Sequence, residues 1–125
     1  MNKLKILAVD DEEYVLNAIK PLCLDHDLET ETLPFKAIER IKKEKFDIFV
    51  VDYQMPQLNG IELLEEIKEV YADRKYVSIF CTAYGTMYLF KEEQCGGLFD
   101  FFVEKPFESE TLKNTLQKAI DRLDP

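Results

Sequence analysis

The chain has 125 residues, 46% of them hydrophobic and 33% charged, a soluble composition whose length predicts one domain over 1–125 with a core that needs no staples. Lys and Arg number 16 against 25 Asp and Glu, a net charge of −9, which argues against direct binding of nucleic acid or an anionic membrane surface because both need clustered cations. Cys23, Cys81 and Cys95 are an odd set at unrelated spacings with no Cys/His ligand pattern, so neither a disulfide framework nor a zinc site is expected, and reduced thiols in a cytoplasm fit best.

No apolar run approaches the roughly 18–20 residues of a membrane span, and Met1-Asn2-Lys3 leads straight into a strand-like run rather than a secretion signal. Leu4 to Val9 reads as a buried strand. Residues 12–24 place Val15, Leu16, Ile19, Leu22 and Cys23 on one helical face, with Pro21 expected to bend or shorten the helix. Leu28 to Leu33 alternates Glu and Thr and suits a sheet edge. Pro34 opens a second helix carrying Ala37, Ile38 and Ile41. Phe46 to Val51 is the most buried-looking strand, and Pro56 with Asn59-Gly60 marks a loop after it. A third helix over 61–72 turns Ile61, Leu64, Ile67 and Tyr71 inward, and Tyr76 to Cys81 is a fourth strand. Residues 85–95 form the weakest helix by pattern and run into Gly96-Gly97. Phe99 to Glu104 is a fifth strand, and Ser109 is placed to cap a last helix with Leu112, Leu116, Ala119, Ile120 and Leu123 inside.

Five strands alternating with helices imply right-handed crossovers and a doubly wound parallel α/β sheet with helices on both faces and strands 1, 3 and 4 at its centre. In such a sheet chemistry collects outside the carboxyl ends of the strands. Asp10, Asp11 and Glu12 follow strand 1, Asp52 follows strand 3, Thr82 follows strand 4, and Lys105-Pro106 follows strand 5. Singly, each has an ordinary explanation. Asp10 with Glu13 would cap the first helix, Asp52 would be a loop residue, Thr82 would cap a helix, and Lys105 would be a solvated lysine. Together they are harder to dismiss. Converging carboxylates repel one another, and burial adds to that cost. A hard cation on oxygen ligands, Mg²⁺ or Mn²⁺, relieves it, while an ammonium and a hydroxyl can hold phosphoryl oxygens. That is equipment for phosphoryl transfer onto a carboxylate.

The ordered set Val9-Asp10-Asp11-Glu12, Val51-Asp52-Tyr53-Gln54-Met55-Pro56 with Asn59-Gly60, Thr82-Ala83 and Glu104-Lys105-Pro106-Phe107 resembles the receiver domain of two-component response regulators, over residues 3–124. The resemblance implies the flavodoxin-like strand order 2-1-3-4-5. It implies that Asp52 accepts a phosphoryl group from a histidine kinase or phosphotransfer protein, with Lys105 and Thr82 as the catalytic partners. It further implies Mg²⁺ held by Asp11 and Asp52, by Asp10 through a metal-bound water, and by the backbone carbonyl of Gln54. Thr82, Ala83 and Lys105 would bind the phosphoryl group, and a cis Lys105-Pro106 bond would aim the ammonium. Thr82 and Phe102 would form the switch that remodels the face made by the fourth and fifth helices and the fifth strand for a partner. Simple packing is the ordinary explanation of Phe102. Gln54 and Tyr84 would border the phosphoryl group and tune its lifetime. Self-catalysed phosphotransfer and autodephosphorylation are the only expected chemistry, with no turnover of a diffusible substrate. A downstream protein target or a fused output domain is expected, and phosphorylation-dependent dimers are a further option.

Thirty residues separate Asp52 from Thr82, the common receiver spacing, but twenty separate Thr82 from Phe102, one residue longer than usual. Cys95-Gly96-Gly97-Leu98-Phe99-Asp100-Phe101-Phe102 replaces the family's usual lead-in to the last strand. A displaced or mobile fourth helix is expected there. Three readings compete. A haloacid-dehalogenase-type phosphatase expects a second Asp where Gln54 stands. A flavodoxin-like carrier needs a phosphate loop that is not acidic. A degenerate receiver used only as a binding module would lack one of the key residues, and none is missing. The end of the chain shortly after the last helix fits a stand-alone receiver or a piece of a longer regulator or hybrid kinase.

Overall fold

The computed structural model describes residues 3–83 and 97–123. The helix expected over 85–95, together with Tyr84 and Cys95, lies outside them. The elements in chain order are β1 (Lys5–Val9), α1 (Glu13–Ile19), β2 (Asp27–Glu31), α2 (Pro34–Lys43), β3 (Ile48–Asp52), α3 (Gly60–Val70), β4 (Val77–Ala83), β5 (Phe101–Lys105) and α4 (Ser109–Leu123). All strand pairs are parallel and the sheet order is β2-β1-β3-β4-β5, as expected.

The two faces follow from strand alternation. Ile6 and Ala8 of β1 turn toward α1 and α4, where Leu16, Ile19, Leu112, Leu116 and Ala119 complete one apolar layer. Leu7 and Val9 turn the other way, toward Ala37 and Ile41 of α2 and Leu63, Leu64 and Ile67 of α3. Every residue of β3 is buried, as a central parallel strand requires. Pro21 acts as its chemistry dictates: α1 stops at Ile19 and a 3-10 turn over Lys20–Cys23 takes up the rest of the expected helix. Ser109 does not cap the last helix but is its first residue. The Glu108 carbonyl accepts from Thr111 and Leu112 N–H at 3.0 and 3.3 Å. Among the described residues no helix is long and apolar enough to cross a membrane.

Two polar devices brace the sheet. Tyr71 is buried at the end of α3, and its hydroxyl accepts from Phe46 N–H and donates to the Glu44 carbonyl, both at 2.9 Å. Tyr71→Phe keeps the ring but strands two backbone groups. It is expected to destabilise the fold by about 1–3 kcal/mol, measured by urea denaturation. Over the edge strand β2, Arg40 of α2 pairs with Glu29, Glu31 and Glu44, and Lys5 joins Glu29 at 3.3 Å and Glu44 at 2.8 Å.

Candidate functional site

The strands deliver their polar ends to one edge of the sheet. β3 runs one residue further than its apolar pattern and ends on Asp52, whose Cα partner in β4 is Cys81. β4 extends through Thr82 and Ala83, which register against Glu104 and Lys105 of β5. Thr82 is therefore a strand residue rather than a helix cap, and it is buried. Asp10 follows β1, and its N–H donates to the Glu31 carbonyl at 3.1 Å. Lys105 reaches back across 95 residues to Asp10 and 53 residues to Asp52. Its Nζ lies 2.6 Å from Asp10 Oδ2 and 2.9 Å from Asp52 Oδ1.

Asp10 is only 3% exposed and Asp52 only 5%, so this is a buried cluster of two carboxylates and one ammonium. Burial drives the Asp52 carboxyl from 3.8 up to about 6; the Lys105 hydrogen bond opposes the rise and the neighbouring Asp10 charge adds to it. Burial also raises Asp10, again against its bond to Lys105. Burial of Lys105 favours loss of its proton, but hydrogen bonds to both carboxylates together with their charges outweigh that and hold it well above the ordinary lysine range. Beside them, burial pushes the Cys81 thiol up to about 12, leaving it protonated and inert.

The Asp10 side chain does not pair with Glu13 as a helix cap. Its Oδ1 accepts from Glu12 N–H at 3.0 Å, and α1 starts without a side-chain cap. This turn gathers Asp10, Asp11 and Glu12 so that one carboxylate oxygen from each lies within 4.8 Å of the others. Glu12 is the member that sequence reasoning left without a role. Its signal was only adjacency to two acids. All donors here are oxygens, which suits a hard divalent cation rather than a soft metal. Beside the acids an open cleft of about 510 Å³ is lined by Asp11, Tyr53, Gln54, Met55, Pro56 and Asn59. On the other side of Lys105 a groove of about 380 Å³ is walled by Tyr14, Val15, Ala18, Ala83, Pro106 and Phe107. The Lys105-Pro106 peptide bond is cis.

The loop after β3 is tightly pinned. Asn59 caps α3 in a reciprocal box with Glu62, at 2.9 and 3.1 Å. Gly60 N–H donates to the Tyr53 carbonyl at 2.8 Å. A Cβ on Gly60 would lie 2.2 Å from the Asp52 carbonyl oxygen, so only glycine permits this approach of α3 to the strand end. The sequence marks Asn59-Gly60 as a loop and as part of the receiver-like set but does not assign the cap; the Asn-x-x-Glu spacing is the available signal for the box. Phe102 is half-buried, with its ring 6.0 Å from Phe80 and 6.1 Å from Phe99.

Known proteins carry the same plan. The family model for the response regulator receiver domain matches residues 6–117. The chemotaxis protein CheY of Listeria monocytogenes is 33% identical over 119 residues, covering 93% of this chain and 98% of that protein. The signal transduction histidine-protein kinase BarA of Shigella flexneri is 34% identical over 113 residues, which span 89% of this chain and 12% of the kinase. Among solved structures, a CheY-like response regulator receiver domain protein from Methanospirillum hungatei superposes with a TM-score of 0.84 at 21% identity, over 97% of this chain and 96% of that one, a likeness of fold.

Proposed function

Because the chain belongs to the response regulator receiver family of two-component signalling, we propose that residues 1–125 work as a single receiver domain that accepts a phosphoryl group on Asp52 and switches a protein-binding face. The observation that carries this reading is the single ammonium of Lys105 shared by buried Asp10 and Asp52 at the carboxyl edge of the sheet. A surface lysine or a helix cap needs no such convergence.

The chemistry follows from the groups present. An Asp52 carboxylate oxygen attacks the phosphorus of a phosphohistidine on a kinase or phosphotransfer protein. The new P–O bond forms as the P–N bond breaks, and the imidazole leaves with its electron pair and takes up a proton. Lys105 turns from the carboxylate to a phosphoryl oxygen, and the Thr82 hydroxyl and Ala83 N–H donate to the others. Asp10, Asp11, Asp52 and the Gln54 carbonyl would hold Mg²⁺ or Mn²⁺, with Glu12 at the rim of that cluster. The ion would supply neutralisation of the phosphoryl charge. Water later hydrolyses the acyl phosphate, and Gln54 borders its approach. Thr82 and Phe102 relay the change to the face formed by β5, α4 and the helix expected over 85–95.

Acetyl phosphate with Mg²⁺ tests this, read by intact mass. Gain of one phosphoryl group that needs the metal and is abolished by Asp52→Ala supports the switch. No gain in the native chain would leave a passive binding module. Release of phosphate from many small esters would favour a phosphatase.

A further inference from the structure

Ser78 is buried in β4 and lies at the far end of the strand from the acidic site. It clamps the segment that leads into β5. Its hydroxyl donates to the Leu98 carbonyl at 3.2 Å. Its N–H donates to Asp100 Oδ2 at 2.9 Å, and its carbonyl accepts from Asp100 N–H at 2.9 Å. Arg122 of α4 holds the other Asp100 oxygen at 3.1 Å and lies over the Phe101 ring at 4.6 Å. Gly97, at φ +81°, turns the chain into this clamp.

Phe99 is the residue fixed between the two clamped positions. Its ring stacks on Phe80 at 5.1 Å and 30°. Phe80 in turn meets Tyr53, next to Asp52, edge-on at 6.0 Å. Phe102 packs against both Phe80 and Phe99. The site and the candidate switch residue are thus joined by contiguous rings, and one of those rings is supplied by the Gly97–Asp100 lead-in to β5.

We propose that Phe99, held by the Ser78–Asp100 clamp, is a positioning residue that restrains the Phe102 side chain, so that Phe102 changes rotamer only when the Phe99–Phe80 stack yields. This rests on the reading of Phe102 as the switch aromatic, but the restraint exists before any phosphoryl arrives. Close-packed rings have discrete arrangements rather than a continuum, so a ring packed against the flank of two stacked rings changes rotamer in step with them.

Rotamer populations of Phe102, from three-bond couplings in the metal-free full chain, test the restraint. Phe99→Leu keeps apolar bulk but removes the stack, and Asp100→Ala takes away the carboxylate that Ser78 N–H and Arg122 hold, which releases the clamp. Each is expected to raise the minor Phe102 rotamer about tenfold, whereas Phe99→Tyr, which keeps the ring, stays at the native value. Unchanged Phe102 populations in Phe99→Leu overturn the proposal, and so does Phe99→Tyr loosening Phe102 as much as Phe99→Leu. Acetyl phosphate uptake by the native chain, measured beside it, is a separate result: its absence removes the functional reading and leaves the restraint to be judged on the couplings.

Discussion

Asp52→Asn is expected to make the metal-free protein more stable at neutral pH, although it removes the proposed phosphoryl acceptor. One ammonium serves two buried carboxylates, so at pH 7 the cluster carries a net negative charge away from water. The folded-state pKa of Asp52, about 6, lies above its ordinary 3.8. The folded chain therefore holds this proton more tightly than the unfolded chain. The associated stability is full below about pH 4 and is lost as pH rises through about 6. A shift of this size corresponds to about 2–3 kcal/mol at pH 7. Asparagine cannot ionise, so the variant escapes that loss and still offers an oxygen to Lys105. Urea denaturation in EDTA from pH 4 to pH 8 checks it. The gap between variant and native chain should be near zero at the acid end, open through about pH 6 and then level off. A variant that is less stable at pH 7, or a gap that ignores pH, would show that Asp52 is not held against its charge. Mg²⁺ should restore the native chain toward the variant, because an ion bound only by the folded form adds stability with its concentration.

Gly60→Ala should be severely damaging for a single added methyl group. The added carbon would sit 2.2 Å from the Asp52 carbonyl oxygen, 2.9 Å from its carbonyl carbon and 3.0 Å from Cε1 of Phe80. Two of those three atoms are backbone and cannot step aside alone. Either α3 lifts from the sheet or the end of β3 moves, and both displace the Asp52 carboxylate from Lys105. The expected cost is about 2–3 kcal/mol in folding stability. Phosphoryl uptake from acetyl phosphate should fall about a hundredfold, the penalty of misplacing a reacting group by about 1 Å. Native stability and native uptake in this variant would mean that α3 is free to shift without consequence for the site.

Much of this fold and site is legible in the sequence. β3 announced itself because Ile48 to Val51 is an unbroken apolar run between charged residues, and Pro21 declared the end of α1. The strand ends were harder. β4 and β5 continue through Thr82-Ala83 and through Lys105, where side chains turn polar but the backbone ladder goes on. A hydrophobic pattern stops where the apolar residues stop, whereas a sheet stops where its hydrogen bonds do. Asp10 is the clearest case of a local rule overridden. Its spacing to Glu13 fits a capping box, yet a lysine 95 residues away claims the carboxylate. The Ser78–Asp100 clamp is likewise invisible, since nothing in a serine at the start of a strand states which loop groups its N–H and hydroxyl will meet.

The cationic staples on β2 have a consequence for how copies of this molecule meet. β2 is an open border of the sheet, and its sequence Asp27-Leu28-Glu29-Thr30-Glu31 would offer unpaired main-chain groups to a passing strand. Arg40 and Lys5 fold inward onto those acids from the molecule itself, so their charge is spent at home. Two such borders brought together in parallel would have to strip Arg40 and Lys5 from those acids, on bodies that each carry a net charge of −9. The strand is thereby kept from serving as a template for its own kind, and concentrated solutions of the protein should resist fibrillar growth from that side.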